Sequence, residues 1–222
     1  GLLDSAHVYD STGIQNLEVR PDKLAIIGGG NIGLEFAGLY SKLGSRVTVY
    51  EASSAILPRE EEVVAKLAKE YMEEAGVTFV LGANIEQVAA AGAQVAVTVN
   101  GETANFDAVL YATGRVPNTA DLGLENTAIE VLDNGAVKVD DNCETTVPGV
   151  YAVGDVNGGP QFTYTSLDEF RIVFGKLTGT GTYSLSQRKS IPTSVFITPV
   201  LPRVGLTEKE AKEAGYDYIA NE

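Results

Sequence analysis

The sequence predicts an α/β fold, a mostly parallel sheet flanked by helices with an antiparallel β-meander set beside it. Three observations predict it. Residues 24–27 are a short apolar run that passes through a cluster of glycines into a stretch with helical spacing of its apolar residues. The alternation of strand and helix patterns continues through segments 46–50, 60–74 and 77–81. Further on, Val95, Val97 and Val99 alternate strictly, and Asn100-Gly101 is the dipeptide favoured in two-residue hairpins.

Taken in order, residues 1–20 show no sustained periodicity and read as a lead-in, in which His7 has no partner His or Cys to make it a ligand. Pro21-Asp22 introduces the first strand. Gly28, Gly30 and Gly33 then stand at G-x-G-x-x-G spacing, with Gly29, Asn31 and Ile32 between them. In such a turn the first glycine lets the chain leave the strand tightly. The second lets backbone approach a pyrophosphate, and the third lets the helix pack on the strand. The helix aims its N-terminal N–H groups and the positive end of its dipole at the phosphates. The second strand ends in Glu51, followed by Ala52, about 20 residues beyond the turn, where a carboxylate accepts a hydrogen bond from a ribose 2′-hydroxyl.

The next helix, over residues 60–74, carries Val63, Val64, Leu67, Tyr71 and Met72 on one face and three glutamates in its first turn. Gly76 caps it, and residues 77–81 form the third strand. Segments 85–88, 94–99 and 102–106 make a meander where a fully wound fold would place a helix. Residues 107–111 return to the parallel sheet and run into Ala112-Thr113-Gly114-Arg115. Residues 119–142 are loop-rich, with a hairpin around 133–135. Residues 150–153 read as a buried strand with Gly154-Asp155 at its carboxyl end, the end at which open α/β sheets bind ligands. A helix over 161–176 follows, with Phe162, Leu167, Phe170, Val173 and Leu177 as its apolar stripe. A polar linker spans 184–190, a strand 195–197, and Thr207 with Glu210 forms a capping box for a helix over 208–214.

Composition narrows the function classes. The chain has 222 residues, 44% of them hydrophobic, enough for a substantial core. A formal net charge of −14 argues against nucleic acid or an anionic membrane as the main partner. The lone cysteine, Cys143, excludes a disulfide framework, a C-x-x-C pair or a zinc cluster within the chain, so no metal site is expected and a reducing, cytoplasmic setting fits. We read Cys143 as structural or exposed, not catalytic. With His7 the only histidine, a His-based catalytic triad is not expected. No apolar run has the length of a membrane span, and no signal peptide is evident. The first residue is Gly, and the chain reads as an excised piece of a longer protein.

Three motifs thus stand in fixed order: the glycine turn 28–33 with Glu51, then Ala112-Thr113-Gly114-Arg115, then Thr146-x-Pro148-Gly149-x-Tyr151-Ala152-x-Gly154-Asp155. Together with the meander, they resemble the class I pyridine nucleotide-disulfide oxidoreductases, the flavoprotein family of glutathione reductase, dihydrolipoyl dehydrogenase and mercuric reductase. The resemblance covers nearly the whole chain. It implies a FAD/NAD(P)-binding Rossmann-like three-layer domain of meander, parallel sheet and helices, with part of the FAD domain and the start of an α+β dimerisation domain. On that reading residues 1–19 lead in from the FAD domain and 20–118 bind NAD(P). Residues 119–188 are the second FAD segment, and 189–222 open the dimerisation domain.

The same resemblance implies that Asp155, after Gly154, bonds the FAD ribitol, a carboxylate being a good acceptor for a sugar hydroxyl. It implies that the helix opening at Phe162-Thr163 turns its N-terminus to the flavin, that Thr113, Gly114 and Arg115 belong to the cofactor site, and that Glu35 lies near the nicotinamide–flavin contact. Residues 161–173 and 8–12 are similar to a bacterial branch, the reactive-chlorine-resistance flavoproteins that reduce hypothiocyanous acid. The family's redox cysteine pair and His-Glu acid/base pair have no counterpart here, so no catalytic residue is assigned within the chain. Asn31 stands where glutathione reductases usually have a tyrosine over the nicotinamide, which counts against glutathione. Glu51 would repel a 2′-phosphate and favours NAD(H) over NADP(H), with Arg59 the nearest later cation.

The expected function is therefore hydride transfer from NAD(P)H to FAD and on to a cysteine pair elsewhere, in a homodimer acting on a small oxidant or disulfide. Two alternatives stay open: a flavoprotein NADH oxidase or ferredoxin- or rubredoxin-type reductase without a redox disulfide, and a non-catalytic nucleotide-binding module.

Overall fold

The computed structural model describes residues 6–221, and the chain divides into two compact units, residues 1–114 with 192–222 and residues 115–191. The first unit is built on a five-stranded parallel sheet. Its strands are β1 (Val8–Tyr9), β2 (Lys23–Ile27), β3 (Arg46–Glu51), β4 (Val77–Leu81) and β8 (Ala108–Tyr111), in the order β1-β8-β2-β3-β4. Ile26 pairs in register with Val49 on one side and Leu110 on the other. The three strands of the meander, β5 (Ile85–Ala91), β6 (Gln94–Val99) and β7 (Glu102–Phe106), form a separate antiparallel sheet.

β2 is buried on both faces, as a central parallel strand must be. Leu24 and Ile26 point into a core shared with helices α1 (Asn31–Lys42) and α2 (Glu62–Glu74) and with Val195 and Ile197. Ala25 and Ile27 point into the core under the meander, against Val95, Val97 and Phe106. Side chains that alternate along one strand thus create two cores and three layers. A short hairpin, β9 (Thr193–Val195) with β10 (Leu201–Arg203), and helix α4 (Glu208–Glu213) complete the unit. The Thr207–Glu210 capping box forms as its sequence predicts.

Several expectations are corrected. The lead-in is not without regular structure: Val8 and Tyr9 pair in parallel with Val109 and Leu110, and a 3₁₀ turn, Gly13–Asn16, buries Ile14. Residues 1–5 lie outside the described residues. The large apolar residues of α2 do not face the core: Val63, Val64, Leu67 and Tyr71 are exposed, while Ala65, Ala68 and Met72 are buried. Small side chains let the helix approach the sheet closely, so the buried face is the alanine face.

The second unit holds helix α3 (Thr163–Thr178), three isolated antiparallel bridges and short 3₁₀ turns. Residues 150–153 are not a buried strand. Only Tyr151 forms a bridge, to Glu144, and Val150 and Val153 are exposed. One isolated bridge is not the run of paired residues that makes a strand. The stripe predicted for α3 is outward as well. Leu167, Phe170 and Leu177 are exposed, and the inward residues are Thr165, Glu169, Ile172 and Gly175.

Candidate functional site

Each glycine of the turn after β2 is required for a different reason. Gly28 has φ +114°, and a Cβ there would lie 2.4 Å from the Ala112 carbonyl oxygen, so the first motif touches the backbone of the second. A Cβ on Gly33 would lie 2.0 Å from the Gly28 carbonyl oxygen, which only glycine permits. Gly30 differs from both. It is extended (φ −84°, ψ −176°), and a Cβ there would meet no atom within 4 Å. Nothing in the protein asks for glycine at this position, whereas a ligand pressed against the backbone would.

Gly30 is also the N-cap of α1, where no side chain caps the helix and no acidic residue enters the first turn. Asn31, Ile32 and Gly33 thus begin a twelve-residue helix whose positive end is left to an anion. Glu51 closes the other side. Its Oε2 accepts the Gly29 N–H at 2.6 Å and its Oε1 the Ser53 N–H at 2.7 Å. Burial pushes the Glu51 carboxyl upward, but the N–H groups of Ser53, Gly29 and Ala52 and a Ser53 side-chain bond outweigh it, so its pKa lies below the ordinary value. These donors hold the carboxylate in its charged form.

Glu35, on α1, accepts the backbone N–H of Phe196 at 3.0 Å and so ties α1 to the end of β9. Ala52 is exposed beside Glu51, and Thr113 and Gly114 are exposed beyond β8, with Gly114 at φ +136°. Arg203 donates to the Arg59 carbonyl oxygen at 3.0 Å.

In the second unit, Gly154 has φ +76°, and a Cβ on it would meet the Ser166 hydroxyl at 2.6 Å. The 3₁₀ turn Gly154–Asn157 carries Asp155, whose exposed carboxylate lies 3.5 Å from Arg115. Two residues of different motifs therefore meet. At that distance and exposure the pair contributes at most about 1 kcal/mol, which leaves the carboxylate open to a ligand. Helix α3 begins after Phe162 without a side-chain cap or a first-turn acid, and Phe162 stacks on Tyr164 with ring centroids 5.2 Å apart. In that first turn Thr165 Oγ1 is buried without a hydrogen-bond partner. An orphaned buried hydroxyl beside an open helix N-terminus fits a polar group that the chain does not itself supply.

The residue that sequence reading missed is Glu169. It is 2% exposed, accepts the Gly154 N–H at 2.6 Å and the Asn157 amide at 2.8 Å, and pairs with Arg188. The signal available was a carboxylate on the inward face of α3, and that face was hidden by the more apolar stripe beside it. Cys143 is fully buried at φ +61°, and burial, with Glu169 nearby, pushes its thiol up to about 11. It is structural, and the exposed alternative is set aside. Among the described residues no group of His, Cys, Asp and Glu is placed to hold a metal ion, and no helix is long and apolar enough to cross a membrane.

Comparison with known proteins places these features in a family context. The family profile described as pyridine nucleotide-disulphide oxidoreductase matches residues 2–169. The chain is 45% identical over 217 residues to the probable pyridine nucleotide-disulfide oxidoreductase RclA of Escherichia coli, covering 98% of this chain and 49% of that protein. It is 36% identical to a dihydrolipoyl dehydrogenase of Chlamydia pneumoniae, covering 96% and 46%. It is 35% identical to a mercuric reductase of Lysinibacillus sphaericus, covering 97% and 40%. The solved structure of the HOCl-induced flavoprotein disulfide reductase RclA from Escherichia coli superposes with a TM-score of 0.92, covering 98% of this chain and 50% of that one. The chain spans about half the length of the curated relatives it matches.

Proposed function

Because the chain belongs to the pyridine nucleotide-disulphide oxidoreductase family, we propose that it is the nucleotide-binding half of a longer NADH-dependent flavoprotein reductase. The residues of this chain would hold NADH and FAD, which when bound would supply hydride-transfer chemistry and relay the electron pair to a cysteine pair outside this chain. The observation that carries the reading is Gly30: a glycine with no neighbouring atom to demand it, at an uncapped helix N-terminus, next to Gly29, whose N–H the Glu51 carboxylate accepts.

The roles of the chain's own residues follow. The N–H groups at the start of α1 bind the nicotinamide nucleotide's pyrophosphate, with Gly28, Gly29 and Gly30 giving the backbone its close approach. Glu51, ionised and held in place by Gly29 and Ser53, accepts a ribose hydroxyl and repels a 2′-phosphate, which supports NADH over NADPH. Ala52 borders that ribose site, and Glu35 supports the nicotinamide end. Thr113, Gly114 and Arg115 line the cofactor site. Asp155 accepts a ribitol hydroxyl, and the start of α3 at Phe162 and Thr163 offers its positive dipole end to the flavin. We assign residues 20–118 to nucleotide binding, 119–188 to the FAD domain and 189–222 to the start of a dimerisation domain, with 1–19 leading in. We further propose a cytoplasmic homodimer and a small oxidant or disulfide as terminal substrate. The likeness of residues 161–173 to the reactive-chlorine branch favours hypothiocyanous acid.

The experiment is anaerobic titration of the complete flavoprotein with NADH. Because the first electron pair passes on to the cysteine pair, full bleaching of the visible flavin band only at two equivalents, followed by reoxidation on adding hypothiocyanous acid, supports the reading. Full bleaching at one equivalent contradicts the cysteine step. A protein that binds NADH but carries no reducible flavin contradicts it.

A further inference from the structure

Glu169 is the only charged side chain among the described residues that is withdrawn from solvent, and no step of the proposed chemistry uses it. Taking a carboxylate out of water is costly unless donors replace the water. Here there are three. Oε2 takes two of them, the Gly154 N–H at 2.6 Å and the Asn157 side-chain amide at 2.8 Å. Arg188 faces Oε1 through both terminal nitrogens at 3.3 and 3.4 Å. Arg188 has a second acid of its own, Asp168 at 2.9 Å. The ion pair therefore offsets the charge, while the shorter bonds all go to one turn.

That turn is Gly154–Asn157, and the two bonds hold its first and its last residue. One oxygen atom thus staples the turn at both ends. Gly154 at φ +76° lets the N–H aim inward, and Asn157 returns its own Oδ1 to the Gly159 N–H at 2.9 Å. Between the two held residues stands Asp155, whose carboxylate is exposed. Hydrogen bonds to a charged acceptor are about twice as strong as neutral ones and stronger still when buried.

We propose that Glu169 is a positioning residue for flavin binding: by suspending the Gly154–Asn157 turn from a single buried carboxylate oxygen, it sets the reach of Asp155 toward the ribitol. This rests on the reading of Asp155 given above. It differs from a structural ion pair in one respect, because the effect of Glu169 on flavin passes through Asp155.

The test is a double-mutant cycle on the complete protein, stripped of flavin and titrated with FAD. Glu169→Gln keeps the shape and removes the charge. It should raise the FAD dissociation constant about tenfold, the equivalent of one charge-assisted hydrogen bond. In an Asp155→Ala background the same change should raise it little further, because the residue it positions is gone. Should Glu169→Gln fail to fold, Asn157→Ala releases one end of the turn, and its smaller loss must likewise vanish when Asp155 is Ala. An unchanged dissociation constant, or the same loss in both backgrounds, overturns the proposal while leaving the flavin reading in place. A wild-type protein that binds no FAD overturns both.

Discussion

The Glu51 carboxylate accepts the Gly29 N–H at 2.6 Å, so the residue that ends β3 holds the turn that follows β2. Sequence patterns treat the acid as a ribose ligand alone. In the structure it is a strut of the turn after β2, and under the proposed reading a ribose contact would draw on the same charge.

That double duty predicts the effect of Glu51→Gln. The amide keeps one acceptor and loses the charge. NADH affinity should fall about tenfold, the loss of a charge-assisted bond, while NADPH affinity falls less or rises. Calorimetric titration of both nucleotides measures it. Equal losses for the two would show that Glu51 does not discriminate at the ribose.

The same carboxylate fixes a pH dependence. Its folded pKa is depressed, so its contribution to stability is complete above the unfolded value and drains away as pH falls through the folded one. The stability gap between wild type and Glu51→Gln should therefore be level above about pH 4.5, the ordinary value, and should close below it. Thermal unfolding across the acid range measures the gap. A gap that widens on acidification contradicts the arrangement.

Cys143 predicts inertness. Fully buried, with its thiol pushed up to about 11, it should resist thiol reagents in the folded protein at pH 8 and react at once when the chain is unfolded. Rapid stoichiometric labelling of folded Cys143 would show that the second unit opens around it.

The parts legible in the sequence are those fixed by spacing. The glycine turn, Glu51, the hairpin at Asn100-Gly101 and the Thr207 capping box each depend on neighbours a few residues away, or on one repeating unit. The helix faces were not legible. Hydrophobic size favoured Val63, Leu67 and Phe170 as buried, but close approach to the sheet selects Ala65 and Ala68, and Glu169 enters the second unit because donors await it there. Residues 150–153 look like a strand, but a strand needs a run of pairs with a neighbour, and composition does not reveal which partners a segment meets. The short β1 was hidden for the opposite reason, since two residues carry no period.

Gly33 and Gly30 separate folding from binding. At Gly33 a methyl group collides with the Gly28 carbonyl, so Gly33→Ala should cost about 3 kcal/mol or more and lower the melting temperature whether or not nucleotide is present.

Gly30→Ala is the most direct test of the central claim, measured as NADH affinity alongside the melting temperature of the nucleotide-free protein. A Cβ at Gly30 meets open space and the backbone there is extended, so the account predicts a loss of at most about 1 kcal/mol of stability from the altered N-cap. It predicts that NADH affinity falls at least about tenfold as the methyl group displaces the pyrophosphate. A Gly30→Ala protein that folds as wild type and binds NADH as tightly would contradict the account.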